Sequence, residues 1–130
     1  MKKIFMGFIL FGAIVSCVED SNVLYDRDAW LGQWTCNEVE GDYAPQSYNV
    51  DIVERIGEGN IALRGLYNEG YDMVLEGKIV GQTIEIPEQT VNDITFFGDG
   101  TMNDDLDEIT LFFSANDGSG KDDVKAFLYR

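Results

Sequence analysis

The side chains that most often run enzyme chemistry are scarce in this sequence. There is no histidine. The commonest general base and metal ligand is therefore missing, and Ser-His-Asp and Cys-His arrangements are excluded. Of the two cysteines, Cys36 has no basic neighbour in sequence to lower its pKa. It is expected as a small buried hydrophobe. Carboxylates are plentiful, 24 in 130 residues. A pair of them can hydrolyse a glycosidic bond, but among so many a close pair arises by chance and identifies nothing. The expectation is a non-catalytic protein without a cofactor.

Oxygen ligands gather in residues 99–108, where Asn103, Asp105 and Asp107 have alternate spacing. Calcium takes about six to eight oxygens, yet the Asp-x-Asp-x-Asp-Gly order with a distal Glu is absent. Asn, Asp and Gly are also ordinary turn residues, and turn chemistry is the preferred reading over a calcium site. The same holds for Asn116, Asp117 and Gly118 with Asp122 and Asp123. Aromatic residues offer a third chemistry. Tyr48, Tyr67, Tyr71, Met73, Phe96, Phe97, Phe112 and Phe113 are candidates to line a ligand cavity. Adjacent strand residues face opposite sides, so one ring of Phe96-Phe97 and one of Phe112-Phe113 must point outward. If their strands pair, those rings build an exposed patch of the kind that marks interaction sites. Trp30 and Tyr43 are further candidates for an exposed rim.

The second cysteine, Cys17, closes a leader. Met1, Lys2 and Lys3 form a basic start, and twelve uncharged residues, Ile4 to Val15, follow. That run is too short for a membrane-spanning helix, which needs about 20 apolar residues. It fits the apolar region of a secretory signal. It ends in Ile14-Val15-Ser16-Cys17, which resembles the lipobox of bacterial lipoproteins. The resemblance implies cleavage before Cys17 and lipid on its thiol and new amine. Two or three chains hold a protein stably in a membrane, where one is marginal.

Residues 1–16 are thus expected as a signal peptide and 17–28 as an acidic tether. Cleavage leaves seven basic against 24 acidic residues, a formal charge of −17. Such a charge makes a nucleic-acid backbone a poor partner and favours a soluble monomer. Val18-Glu19-Asp20-Ser21 resembles the export signal that sends Bacteroidota lipoproteins through the outer membrane to the cell surface.

The elements that must position any site lie in residues 29–130. Short runs of alternating apolar and polar residues, separated by turn signals, read as strands. The expected strands are 31–39, 48–55, 61–67, 71–79, 83–86, 94–102, 108–115 and 124–129. In the fourth, Tyr71, Met73, Leu75 and Ile79 share one face, and Gly77 in the same phase offers a bend or bulge. Pro87 is expected to close the fifth. Glycines 98 and 100 suggest strong curvature in the sixth. No window has a convincing helical period. Sequential hairpins favour an all-β, antiparallel up-and-down barrel of about eight strands, because closure removes exposed edges.

Gly32-Gln33-Trp34 at the start of such a meander resembles the lipocalin superfamily. With Thr83-Ile84-Glu85-Ile86-Pro87 and Gly98-Asp99-Gly100-Thr101, it is more similar still to small lipocalin-like lipoproteins of Bacteroidota. The resemblance covers roughly residues 31–130. It implies that Trp34 closes one end of the barrel, against a basic residue of the last strand that Arg130 could supply. The expected protein is a lipid-anchored, surface-exposed binding module. It would take a small apolar or glycan ligand or an envelope protein. The alternative is an accessory subunit of an envelope complex with no small-molecule ligand.

Overall fold

The computed structural model describes residues 27–130. The expected signal peptide, Cys17 and the expected tether up to residue 26 lie outside the described residues. Eight strands follow in order: β1 (Gly32–Glu40), β2 (Gln46–Glu54), β3 (Asn60–Gly65), β4 (Gly70–Val80), β5 (Thr83–Val91), β6 (Ile94–Met102), β7 (Glu108–Asn116) and β8 (Lys121–Tyr129). Each pairs antiparallel with the next, and β8 returns to β1, so the sheet is a closed up-and-down barrel.

Period-2 alternation fills the interior. Ile109, Leu111 and Phe113 of β7 are buried, as are Val124, Ala126 and Leu128 of β8. With Trp34, Val50, Ile61, Met73, Leu75 and Phe96 they form one apolar core. An eight-stranded barrel has an interior just wide enough for such side chains or one small ligand; here the side chains occupy it.

One end is sealed. Residues 27–30 are helical, so the ordered domain takes in Arg27 and Asp28 of the expected tether. Arg27 donates to the carbonyls of Gly57 (2.7 Å) and Arg55 (3.4 Å) and pairs with Glu54 at 3.2 Å. The Trp34 indole N–H donates to the Trp30 carbonyl at 2.9 Å. The Arg130 guanidinium lies 4.2 Å from the centre of the Trp34 ring. It also donates to the carbonyls of Ala29, Leu31 and Leu106. One side chain thus ties the chain's last residue to the helical turn and to the β6–β7 hairpin, over a buried indole. The turns that leave even-numbered strands lie at this end. Those that leave odd-numbered strands gather at the other, the mouth.

Three expectations need correction. Pro87 does not end β5, which continues to Val91 across a register shift between Ile86 and Gln89. Proline cannot donate to a ladder, and the Gln89 side chain does the bonding instead. Its amide accepts from the Glu76 N–H (2.8 Å) and donates to the Glu76 carbonyl (2.9 Å) on β4. β3 ends at Gly65, and Leu66–Asn68 form a 3₁₀ turn rather than more strand. Gly77 makes no bulge against β3, since it pairs directly with Ile61. It makes room instead, because a Cβ there would stand 2.9 Å from the Ile61 side chain.

Candidate functional site

The mouth is where the described residues place polar groups around a pocket of about 390 Å³. Its walls come from four connections and the strand ends beside them. Asp42, Tyr43 and Gln46 come from the first, Tyr67, Asn68 and Glu69 from the second, Ile94 from the third, and Asp117, Ser119 and Asp122 from the last.

Tyr67 is the centre of this arrangement. The chain leaves β3 through Gly65 at φ 94°, and the Tyr71 ring covers that glycine on the outer wall. Leu66 then turns into the core, and Tyr67 and Asn68 follow at φ 64° and 59°. A non-glycine residue in this left-handed region costs about 1 kcal/mol or more and persists only where its surroundings hold it. The Tyr48 hydroxyl accepts the Tyr67 N–H at 2.8 Å, and the Tyr67 hydroxyl donates to Asp122 Oδ2 at 2.7 Å. Asp122 Oδ1 accepts the N–H of Asp42 at 2.9 Å, fixing the first loop to the last strand. The Tyr67 ring makes edge contacts with Phe96 and Phe113, each at 6.0 Å, and with Tyr43 at 5.5 Å. The aromatic plug beneath the mouth and the ring above it are therefore one stack.

A buried polar layer supports it. Glu38, in phase with Trp34 and Cys36 on β1, is buried. Its carboxylate accepts from Gln46 Nε2 at 2.9 Å and from the Tyr48 hydroxyl. Burial, followed by the hydrogen bond to Asp122, raises the Tyr67 phenol well above its ordinary range. Burial, then the neighbouring Cys36 and Glu38, does the same for Tyr48. Both phenols thus stay protonated donors. Burial pushes the Cys36 thiol up to about 12, the neighbouring Tyr48 hydroxyl acting against the rise and Glu38 adding to it. As a thiol it is a poor nucleophile. At the rim, hydrogen bonds from the Ser119 hydroxyl and backbone N–H hold Asp117 below its usual range.

The expected site residues separate into three groups. Tyr43, 61% exposed, and Tyr67 stand at the mouth, with Phe96 and Phe113 buried beneath them. Tyr48 is half-buried below the mouth, and Met73 is core. Phe97 and Phe112 point outward on the wall, 44% and 50% exposed. Trp30 is not on a rim. It is 1% exposed at the sealed end, because the helical turn before β1 packs it into the apolar core. Tyr71 does not line the interior either. Between the pairs Arg64↔Val74 and Gly65↔Gly70 the residues Tyr71–Met73 have no partners on β3. The ring turns outward there, over Gly65 and toward Gln33, whose amide donates to its hydroxyl at 2.9 Å.

Asn103, Asp105 and Asp107 lie in the β6–β7 hairpin at the sealed end. Asn103 Oδ1 accepts the N–H groups of Asp107 and Glu108, both at 3.0 Å, and its amide donates to Asp107 at 2.7 Å. The hairpin thus uses Asn103 and Asp107 for its own turn. Among the described residues no three cysteine, aspartate or glutamate side chains come together as a metal site.

Sequence reading takes Asp122 for turn chemistry and passes over Glu38, the carboxylate beneath the mouth, although the signal for both is present. Asp122 continues the Val124-Ala126-Leu128 phase by one step, and Glu38 continues Trp34-Cys36.

No protein-family model matches the chain, and no curated protein matches it. Among solved structures it is similar to a redesigned β-barrel. The two are 14% identical over 81% of this chain and 94% of that one, with a TM-score of 0.50. That likeness shows the fold alone, a β-barrel.

Proposed function

We propose that this chain is an exported, lipid-anchored barrel of lipocalin-like type whose mouth binds a small, hydroxyl-rich ligand of the glycan class. The observation that carries the reading is the lining of the mouth. An exposed tyrosine ring there stands beside the carboxylates of Asp42, Asp117 and Asp122 and the amides of Gln46 and Asn68. A sugar offers an apolar face to a ring and hydroxyls to carboxylates and amides. The pocket volume lies within the usual range for ligand sites, about 300–1,000 Å³. The filled interior argues against a buried apolar ligand. The strained Tyr67 backbone is the kind of feature that clusters at binding sites.

The chain enters β1 at the sealed end, opposite the mouth, so the segment that would carry a lipid on Cys17 does not run through the mouth. Surface display on the outer membrane follows from the acidic run after Cys17. The accessory-subunit alternative draws its support from the exposed rings of Phe97 and Phe112.

Two experiments test these points. Cells expressing the full chain incorporate radiolabelled palmitate into it, and Cys17→Ala abolishes the label and leaves uncleaved precursor. Persistent labelling of that variant removes the anchor from the proposal. For the ligand, the melting temperature of the full chain in detergent is followed against a saccharide panel. A true ligand at about 100 times its Kd stabilises the fold by about 2.7 kcal/mol, which raises the melting temperature by about 10 °C. Tyr43→Ala removes the shift while leaving the ligand-free melting temperature within about 2 °C, since the ring is largely exposed. A flat response to every saccharide overturns the glycan reading.

A further inference from the structure

The outer wall of β5–β8 carries a second cleft, of about 580 Å³. Strand register lays out its side chains in rows. One row reads Glu85, Asp99, Phe112 and Lys125; the next reads Phe97, Ser114 and Asp123. Phe97 and Phe112 are large apolar rings left open to solvent. Pro87 and Glu88, at the register shift of β5, contribute one edge of the cleft.

Ser114 supplies an independent observation. Ile109, Leu111 and Phe113 take the inward phase of β7, so Ser114 faces the cleft, where it is part of the lining. It is nevertheless only 3% exposed, and its hydroxyl has no hydrogen-bond partner among the described residues. Buried hydroxyls are normally paired. An unpaired one between two exposed rings marks a place where a partner completes the bonding.

Charge then selects the partner. Glu85, Glu88, Asp99 and Asp123 line the cleft against a single lysine, Lys121, which lies 3.7 Å from Asp123. Glu85, Glu88 and Asp99 make no ion pair among the described residues. The Lys125 ammonium already lies 5.7 Å from the centre of the Phe112 ring, so a cation beside this ring is part of the structure. A formal charge of −15 opposes a second copy of the chain on this face.

We infer that this cleft docks a segment of a partner protein that presents an apolar side chain flanked by lysine or arginine. The apolar group lies across Phe97 and Phe112. Its cationic neighbours meet Glu85, Glu88 and Asp99, and a polar group of the segment pairs with the Ser114 hydroxyl. This site is separate from the mouth and does not depend on the glycan reading.

The test uses the full chain in a non-ionic detergent and a fluorescein-labelled hexapeptide of alternating lysine and phenylalanine. Anisotropy at physiological salt is expected to saturate. Phe97→Ser with Phe112→Ser weakens binding at least tenfold, and so does Glu88→Lys with Asp99→Lys. Ser114→Ala weakens it several-fold while raising the melting temperature, because it deletes an unpaired buried hydroxyl. A hexapeptide of glutamate and phenylalanine does not bind. Attraction by net charge alone would survive the double serine variant, so unchanged affinity there overturns the inference. Failure to saturate, or equal binding of the glutamate peptide, does the same. A wild-type dimer in sedimentation velocity that the serine variant dissolves would assign the cleft to a second copy and also overturn it. Saccharide-induced stabilisation is measured on the same variants, so failure of this cleft and failure of the mouth are read separately.

Discussion

Trp34→Ala is expected to lower the stability of the barrel by about 3–5 kcal/mol, the usual cost of emptying a buried tryptophan site. For a domain of this size that is a fall in melting temperature on the order of 15 °C. Three losses coincide. The indole leaves a cavity at the sealed end, where it is 1% exposed. The Trp30 carbonyl loses its donor. The Arg130 guanidinium loses the ring it lies on and remains only as a donor to three carbonyls. A double-mutant cycle separates these terms. Arg130→Ala alone is expected to cost about 1–2 kcal/mol, from the cation–π contact and the exposed hydrogen bonds. In the Trp34→Ala background it costs less, because part of its interaction has already gone. Urea denaturation of the four proteins gives the coupling. Strictly additive losses would mean that Arg130 acts on the carbonyls alone and that the stacked geometry contributes nothing.

Each end was legible in the sequence in part, for a physical reason. The lipocalin resemblance sets Trp34 against Arg130, whose meeting follows once β8 returns to β1. Tyr43 and Tyr67 read as rim and lining, but Trp30 and the carboxylates of the mouth were not placed. The strands were legible for a local reason. Alternation in residues such as Ile109, Leu111 and Phe113 states both the element and its inner face. The mouth rests on long-range partners. The carboxylate of Asp122 is tied to Tyr67, 55 positions away, and to Asp42, 80 positions away. In the sequence it sits in a cluster that reads as turn. Glu38 is hidden similarly, because a charge in an inward phase looks like the end of a strand until Tyr48 and Gln46 are seen to satisfy it.

Irregularities were the least legible. The turn at Asn92-Asp93, with both residues at positive φ (54° and 66°), is a two-residue hairpin signal that would have extended β5 past Pro87. The three-residue excess on β4 that turns Tyr71 outward has no local signature. Trp30 was misplaced for a related reason. In the sequence it reads as lying near the first loop, and only the helical turn at residues 27–30 places it at the opposite end and buries it.

Gly98→Ala is expected to be the most damaging single-methyl change in the wall. Gly98 pairs with Phe113 across β6 and β7 and with Ile86 across β5 and β6. A Cβ built there runs into the Phe112 carbonyl oxygen and stands 2.6 Å from the Phe113 Cβ and 2.7 Å from its Cα. These are backbone or backbone-adjacent atoms, so no rotamer change relieves the contact. β6 and β7 must separate by several tenths of an ångström or more, and the ladder bonds nearest Gly98 weaken. The overpacking itself costs about 1–3 kcal/mol, and each weakened backbone bond adds about 1 kcal/mol. A total of about 3 kcal/mol or more is expected, a fall in melting temperature of about 12 °C. Gly70→Ala provides the comparison. Nothing lies within 4 Å of a Cβ there, and the cost is the strain of a side chain at φ 90°. Hydrogen exchange distinguishes the two. In Gly98→Ala the β6 and β7 amides around Phe112 exchange faster relative to those of β1 and β2, since the damage is a local parting of two strands. In Gly70→Ala the strand amides keep their wild-type order of protection. Uniformly faster exchange in Gly98→Ala, with no excess at β6 and β7, would mean that the close approach of these strands is not what holds the barrel shut.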